Sequence, residues 1–410
     1  MIRQEIKKLA VYSVFLAILI LPMVGFRTTH FEAGRAFKVL GLFIAILVAN
    51  FVAKVVRSRR GEDQLQKVSL GDRISLRFAE IPKIYTLGLL VAVAAVFPLL
   101  ADNYMIDVGI TCLIYVTLGL GLNIVVGLCG LLDLGYIAFY AVGAYTYALL
   151  NLRFGVSFWA ALPAGVLMGM FLGCVIGYPT LKMRGDYLAI VTMGFGEIIR
   201  LVLNNWDKLT AGPNGLFGMQ KPTLYYPGFH DGGLHLSVYS IKTLPALYYM
   251  ILIIALLTLV GIRRLNDSRI GRAWVAVRED ETAAELSGVP TTWLKLLAYA
   301  LGAGFAAVAG AFFAAKLSYV NPNFFIFMES CIVLCIVVLG GSGSIPGVIV
   351  AGFILIAVPE IFRELQNYRM LAFGAIMAIM MVLKPDGLIP ARRRRVQMAE
   401  RRQLAGESNE

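Results

Sequence analysis

Among the charges inside or beside long apolar runs, four carboxylates are candidates for chemistry: Asp133, Glu197, Glu329 and Glu360. An ionised group is costly in hydrocarbon, so each must face a bundle interior, a water-filled path or a cation. Glu197 and Arg200 are three residues apart, which permits an ion pair on one helix face. Proton or ion relay is one chemistry such acids can perform. The other outcome is a structural pair or a place near the lipid headgroups. The three histidines, His30, His230 and His235, lie in polar connections and have no metal-ligand spacing with the five cysteines. Cys112, Cys129, Cys174, Cys331 and Cys335 sit in apolar segments, where core or lipid packing explains them. No G-x-x-x-x-G-K-[ST] loop is present, and Gly302-Ala303-Gly304-Phe305-Ala306-Ala307 lies inside an apolar run rather than after a strand. No Ser/His/Asp or zinc arrangement emerges, so an enzyme has no residues here to carry it.

The elements that hold these residues are membrane helices. Of the 410 residues, 59% are hydrophobic and only 15% charged, which is too apolar for a soluble chain of this length. The runs are long enough to cross a bilayer core at about 20 residues each. They predict about twelve spans: 9–26, 36–56, 84–100, 105–126, 130–150, 158–178, 187–204, 245–262, 293–317, 328–340, 347–363 and 370–384. Three are short, so the fold class is an all-α polytopic bundle of about 10–12 spans with broken or re-entrant helices. Residues 1–83 form a two-helix extension and linker, 84–390 the core, and 391–410 a basic tail. The first helix is expected to be retained, since no clean cleavage site follows it. Most of the 37 lysines and arginines fall on one side of this topology. That side is expected to be cytoplasmic, with both termini inside. The net charge of +12 is thus a topology and lipid-headgroup signal, not one for nucleic acid.

Small residues recur every four positions in two places: Gly165, Gly169, Gly173 and Gly177, and Gly302, Ala306, Gly310 and Ala314. They share a helix face and allow close backbone approach. Two glycine-rich interruptions look alike. One runs from Val125 through Gly127 and Gly130 to Asp133 and Gly135; the other covers Val337 to Gly347 with Gly340, Gly341 and Gly343. They fit either broken helices beside a transport path or two tight turns. The long connection Asn204–Leu244 carries turn signals at Gly212-Pro213-Asn214-Gly215 and Gly232-Gly233. The polar segment Ser268–Pro290 predicts one amphipathic helix over Gly271–Ser287, with Trp274, Val277 and Ala284 on one side and Arg278, Glu279, Asp280 and Glu281 around it. Gly288 and Pro290 stop it. Such a helix suits docking to a soluble partner, or rest on headgroups.

That last segment resembles the EAA loop of ABC importer permeases. Leu118–Tyr147, Arg184–Arg200, Thr210–Gly215, Ile270–Gly288 and Ile336–Gly343 are similar, in the same order, to the LivM (BraE) type of permease in high-affinity branched-chain amino acid importers. Ala211 stands where that family often has a second glycine, and the 216–244 loop is short. The resemblance implies uptake of Leu, Ile and Val through the bacterial inner membrane. It implies a LivH-like sister permease, LivG-like and LivF-like ATPase subunits, and a periplasmic binding protein. ATP and magnesium would sit on the ATPases, with no cofactor in this chain. It also implies ATPase coupling through Gly271, Arg272, Arg278, Glu279, Asp280, Glu281 and Gly288. A pathway is then expected near Asn123, Gly127, Gly130, Asp133, Gly135, Tyr187, Thr192, Glu197, Gly340, Gly341 and Gly343. A related urea importer, a gradient-driven transporter using Asp133 and Glu197, and a scaffold subunit are the alternatives.

Overall fold

The computed structural model describes residues 94–99, 101–180, 183, 185–230, 233–241, 243–361 and 387–389, with 26–27, 30–31 and Gly374 as isolated pieces. The chain divides into two compact units, Met1–Ala92 with Leu365–Ala375, and Val93–Glu364 with Ile376–Glu410. The second holds every element discussed below. Its helices are α1 (Asn103–Leu122), α2 (Ile137–Phe154), α3 (Phe158–Thr180), α4 (Asp186–Asn205), α5 (Leu244–Asp267), α6 (Arg269–Glu279), α7 (Glu281–Leu286), α8 (Thr291–Leu317), α9 (Phe327–Gly340) and α10 (Ile345–Ile361). The unit is all-α in class. Among the described residues, five helical stretches are long and apolar enough to cross a membrane: Asn103–Leu128, Phe158–Thr180, Leu244–Asp267, Thr291–Leu317 and Pro322–Gly340. The remaining expected spans in this region, 130–150, 187–204 and 347–363, correspond to α2, α4 and α10, which are shorter or more polar. Those at 9–26, 36–56 and 370–384, and most of 84–100, fall outside the described residues.

Two helices form the centre. The apolar stretch of α1 is 83% buried and that of α8 67%, against 33% for α3. A helix surrounded by helices can stay apolar on all sides, because every face meets protein. The small residues of α8 make this possible by serving two faces. Gly302 lies against Val125 and the Gly121 carbonyl, and Gly310 lies on the backbone of α2 at Tyr140 and Ala144. On its other side, Ala303 and Ala307 receive Gly169 of α3, while Gly173 meets Ala303, Ala300 and the Tyr299 carbonyl. Gly177 meets Tyr299 and Leu296, and among the described residues Gly165 has only the Gly143 backbone nearby. The two ladders therefore do not face each other. The α3 ladder packs on the alanines of α8, and the Gly302–Gly310 ladder packs on α1 and α2. Tyr136 fastens the same region by donating to the Gly302 carbonyl at 2.9 Å. At the opposite end, the Lys316 ammonium meets Asp107 at 2.7 Å, pinning the C-terminus of α8 to the N-terminus of α1.

Two local expectations change. The Gly271–Ser287 segment is two helices, not one. Asp280 is extended (φ −156°, ψ 109°), and its side chain accepts from the Ala283 amide at 3.0 Å to start α7. Asp is a strong N-cap residue, and here its capping bond outweighs helix continuity. The connection Asn204–Leu244 is not only turns. Thr223–His230 and Gly233–Ser240 form an antiparallel hairpin, with Thr223 opposite Ser240. A shorter pairing joins Leu216–Phe217 to Tyr319–Val320.

Candidate functional site

The first glycine-rich interruption is a π-helical segment, Asn123–Leu128, continuing directly from α1. A π-turn inserts an extra residue and leaves carbonyls without their usual i+4 partners. Here the Cys129 amide donates to Ile124 O at 3.1 Å and the Leu131 amide to Val125 O at 3.0 Å. Asn123 is fully buried, and its Oδ1 accepts from the Gly343 amide at 2.9 Å. Its Nδ2 is buried with no hydrogen-bond partner among the described residues. Gly127 has room for nothing larger, because a Cβ there would overlap the Asn123 amide and the Gly343 nitrogen.

Beyond this break the chain runs through Gly130, whose φ of +78° is open to glycine, to Asp133 and Gly135. Asp133 is 1% exposed. Its Oδ1 accepts from the Gly135 amide at 2.8 Å, while Oδ2 is buried with no close hydrogen-bond partner among the described residues. Gly135 sits on the Thr192 carbonyl and against Gly196 of α4. The Thr192 hydroxyl accepts from the Leu134 amide at 3.1 Å and donates to Ala189 O at 3.0 Å. The Ser330 hydroxyl of α9 accepts from the Ile137 amide at 3.1 Å, so α9 satisfies one free donor at the start of α2. Thr192→Val keeps the shape but removes both bonds and orphans the Leu134 amide. The expected loss is about 1–2 kcal/mol, read as a lower thermal midpoint of the purified protein.

The second interruption differs in kind: it is a tight turn between α9 and α10. Gly341 (φ +104°) and Gly343 (φ +87°) adopt conformations that favour glycine, and the Ser344 amide donates to Gly341 O at 2.9 Å. Residues 387–389 return to close it. The Leu388 amide donates to Leu339 O at 2.7 Å and the Ile389 amide to Gly340 O at 3.2 Å. These bonds satisfy two of the bare carbonyls at the end of α9.

The α6–α7 segment lies close to the first break. Trp274 is fully buried, and its indole donates to Leu294 O at 2.7 Å, at the start of α8. Ser268 caps α6 by accepting from the Gly271 amide at 3.2 Å. Gly271 is pressed on the Leu265 and Asn266 carbonyls, which excludes a side chain. Gly288 ends the segment at φ +82°. The charged residues divide by direction. Arg272, Glu279 and Asp280 are exposed, as are Glu285 and Leu286 of α7. Glu281 instead turns toward its own chain and pairs with Lys295 of α8 at 2.5 Å. Arg278 is half-buried; its guanidinium donates to the Gly127 carbonyl, and its stem lies along Gly130.

Tyr187 and Glu197 stand apart from this cluster on α4. Tyr187, Ile190, Ile198 and Leu201 share an exposed face, and a Cβ added at Gly194 would meet nothing. The Glu197 carboxylate pairs with Arg200 Nε at 2.9 Å, and the carboxylate side chain is 42% exposed. The structure thus brings Asn123, Gly127, Gly130, Gly343 and Arg278 together, with Asp133, Gly135 and Thr192 on an adjoining layer. Lys295, Ser330 and Tyr136 also belong here and were not singled out from sequence. Lys295 carried a readable signal, an ammonium just inside the apolar run 293–317. Ser330 and Tyr136 act through tertiary contacts that carry no spacing.

Comparison with known proteins agrees with this architecture. Residues 104–384 match the family model described as the branched-chain amino acid transport system / permease component. The chain is 44% identical over 322 residues to the LivM permease proteins of the high-affinity branched-chain amino acid transport systems of Salmonella typhimurium and Escherichia coli K12, covering 76% of each chain. It is 26% identical over 291 residues to the LivH permease of Salmonella typhimurium, covering 67% of this chain and 91% of that one. No solved structure matches it significantly. The chain is a multi-pass membrane protein and belongs to the family of permease components of branched-chain amino acid transport systems.

Proposed function

We propose that this chain is one of two permease subunits of an ATP-driven importer that brings branched-chain amino acids across the bacterial inner membrane. The observation that carries the coupling is the α6–α7 segment. It is anchored inward by Trp274 and Lys295, turns Arg272, Glu279 and Asp280 outward, and touches the first helix break through Arg278. That arrangement suits a soluble motor gripping from outside and a path responding inside. The likeness to both LivM and LivH supports a sister permease of the same fold, related to this one by a pseudo-twofold. ATP and magnesium reside on the two ATPase subunits. A periplasmic binding protein delivers the substrate, and both termini of this chain lie in the cytoplasm.

The exposed face of α4 supports a path shared with the sister subunit. A half-exposed Glu197–Arg200 pair midway along a membrane helix is costly against hydrocarbon, so that face meets water or protein. The test is reconstitution with the co-purifying partners and ATP inside the vesicles. Labelled leucine should enter only with ATP. Unlabelled valine and isoleucine should compete, and urea and lysine should not. Competition by urea with no effect of valine would assign the chain to a different substrate class. Uptake driven by an ion gradient without ATP would make it a secondary transporter.

A further inference from the structure

Arg278 was grouped by sequence with the charges that meet a motor, yet its contacts lie inside the chain. Its guanidinium donates to the Gly127 carbonyl, and its stem crosses Gly130, where any Cβ would collide with it. The Gly127 carbonyl is available because the helix has ended. The Leu131 amide, which would bond it in a continuous helix, turns back to Val125 O instead. Carbonyls at a helix C-terminus carry partial negative charge, so a cation is favoured there. Gly127 in turn touches the Asn123 amide, whose Oδ1 accepts from the Gly343 amide 220 residues away in sequence. Four residues therefore join the α6 helix to both glycine-rich interruptions through consecutive contacts, with no gap between them. The buried Nδ2 of Asn123 meets no acceptor among the described residues. Such a group favours rearrangement to any state that supplies it with an acceptor.

We infer that Arg278 is a positioning residue rather than a docking residue: it is the strut that carries movement of α6 to the Asn123–Leu128 break and, through Asn123, to the Gly341–Ser344 turn. Glu279 and Asp280, on the outward side of the same segment, are exposed where Arg278 is not. The inference rests on the importer function proposed above and adds the route by which force crosses this subunit.

Cys129 provides a native reporter. It lies in the break between Gly127 and Gly130 and is 2% exposed, so a maleimide reaches it only when the break moves. The experiment uses the complex with its ATPase partners, with Cys112, Cys174, Cys331 and Cys335 replaced by alanine. Cys129 alkylation is followed with and without a non-hydrolysable ATP analogue. Nucleotide should change the labelling rate in the unmodified strut. In Arg278→Met, which keeps the stem along Gly130 but loses the donor, that response should disappear while the ATPase subunits still co-purify. Substrate carried per ATP hydrolysed should fall roughly tenfold.

Asn123→Leu, of similar volume without the acceptor, is the second variant and suffices if Arg278→Met is not recovered. It should uncouple the turn in the same way. If the residues act in series, the double variant is no worse than the more severe single one. Loss of ATPase recovery in Arg278→Met, an undiminished nucleotide response of Cys129, or fully multiplicative effects in the double variant would each overturn the strut. Failure of the importer function looks different: Cys129 responds to nucleotide in the unmodified complex, yet no branched-chain amino acid enters.

Discussion

Gly310→Val should remove most of the folded, monodisperse protein, while Gly194→Val should leave its yield and thermal midpoint nearly unchanged. Both replace a helical glycine in the same bundle, so propensity and hydrophobicity change alike. Only the surroundings differ. A Cβ at Gly310 overlaps the Tyr140 carbonyl and comes within 2.9 Å of the Ala144 nitrogen. Those atoms are backbone and cannot rotate away, so α2 and α8 must separate along their contact. Their separation would also disturb Gly143, which is pressed on the Ala307 backbone one turn away. The expected cost exceeds about 3 kcal/mol, at the upper end for overpacking, because an entire helix pair must shift. At Gly194 nothing among the described residues lies within 4 Å of that Cβ. Size-exclusion profiles and thermal melts in detergent distinguish the two outcomes. Equal behaviour of the two variants would mean that the α2–α8 contact is not the close approach described above.

Glu281→Gln should destabilise the protein more than Lys295→Met, although both break the same 2.5 Å ion pair. The two side chains differ in exposure: 6% for Lys295 and 29% for Glu281. Removing the carboxylate strands an ammonium that water scarcely reaches, near the start of α8. Removing the ammonium strands a carboxylate that water does reach, and leaves an apolar stem that fits the same pocket. The expected costs are about 2–4 kcal/mol for Glu281→Gln and about 1 kcal/mol for Lys295→Met, measured by chemical or thermal unfolding. The double variant Glu281→Gln with Lys295→Met should recover most of the loss, since neither buried charge then remains. A reversed order would show that Glu281 is held by a partner outside this chain. Glu281 would then be the docking residue that the sequence suggested.

The limits of most helices were legible because they depend on properties that sequence displays directly. The apolar runs at 158–178, 245–262 and 293–317 become α3, α5 and α8 within a few residues at their edges, apart from the polar extension of α5 to Asp267. The glycine ladders announced close packing, since small side chains every fourth residue have few other uses. Which helices the ladders meet was hidden. α8 carries small residues on two faces, and only the third dimension shows that Ala303 and Ala307, not Gly302 and Gly310, receive α3. The amphipathic face of Trp274, Val277 and Ala284 was correct, and all three are buried. The break at Asp280 was missed because a helical period continues through it. A single capping side chain overrides that period locally. The hairpin Thr223–Ser240 was masked by turn-forming residues.

The site divides along the same line. That both glycine-rich stretches matter was visible from composition. That one is a π-turn and the other a tight turn was not, because clustered glycine permits either. Asn123 and Gly343 meet through one hydrogen bond between distant parts of the chain, which no local pattern encodes. Arg278 and Glu279 are adjacent in sequence and point to opposite environments, a distinction set by how α6 lies against the bundle. Asp133 was recognised as an acid inside an apolar run, and its near-complete burial agrees.

The return of residues 387–389 to the end of α9 has a consequence for biogenesis. The ribosome delivers the chain from its N-terminus, so α9 and α10 leave it before Leu388 and Ile389 exist. Until those residues emerge, the Leu339 and Gly340 carbonyls lack the amides that satisfy them in the finished protein. Gly341 likewise lacks the backbone of Gly387 that packs on it. The α9–α10 turn, and with it the bond from Gly343 to Asn123, is therefore completed only after residues 387–389 have been made. A chain released by a stop before Leu388 would carry α1 to α10 and still lack the clasp, which gives quality control a structural mark for recognising it.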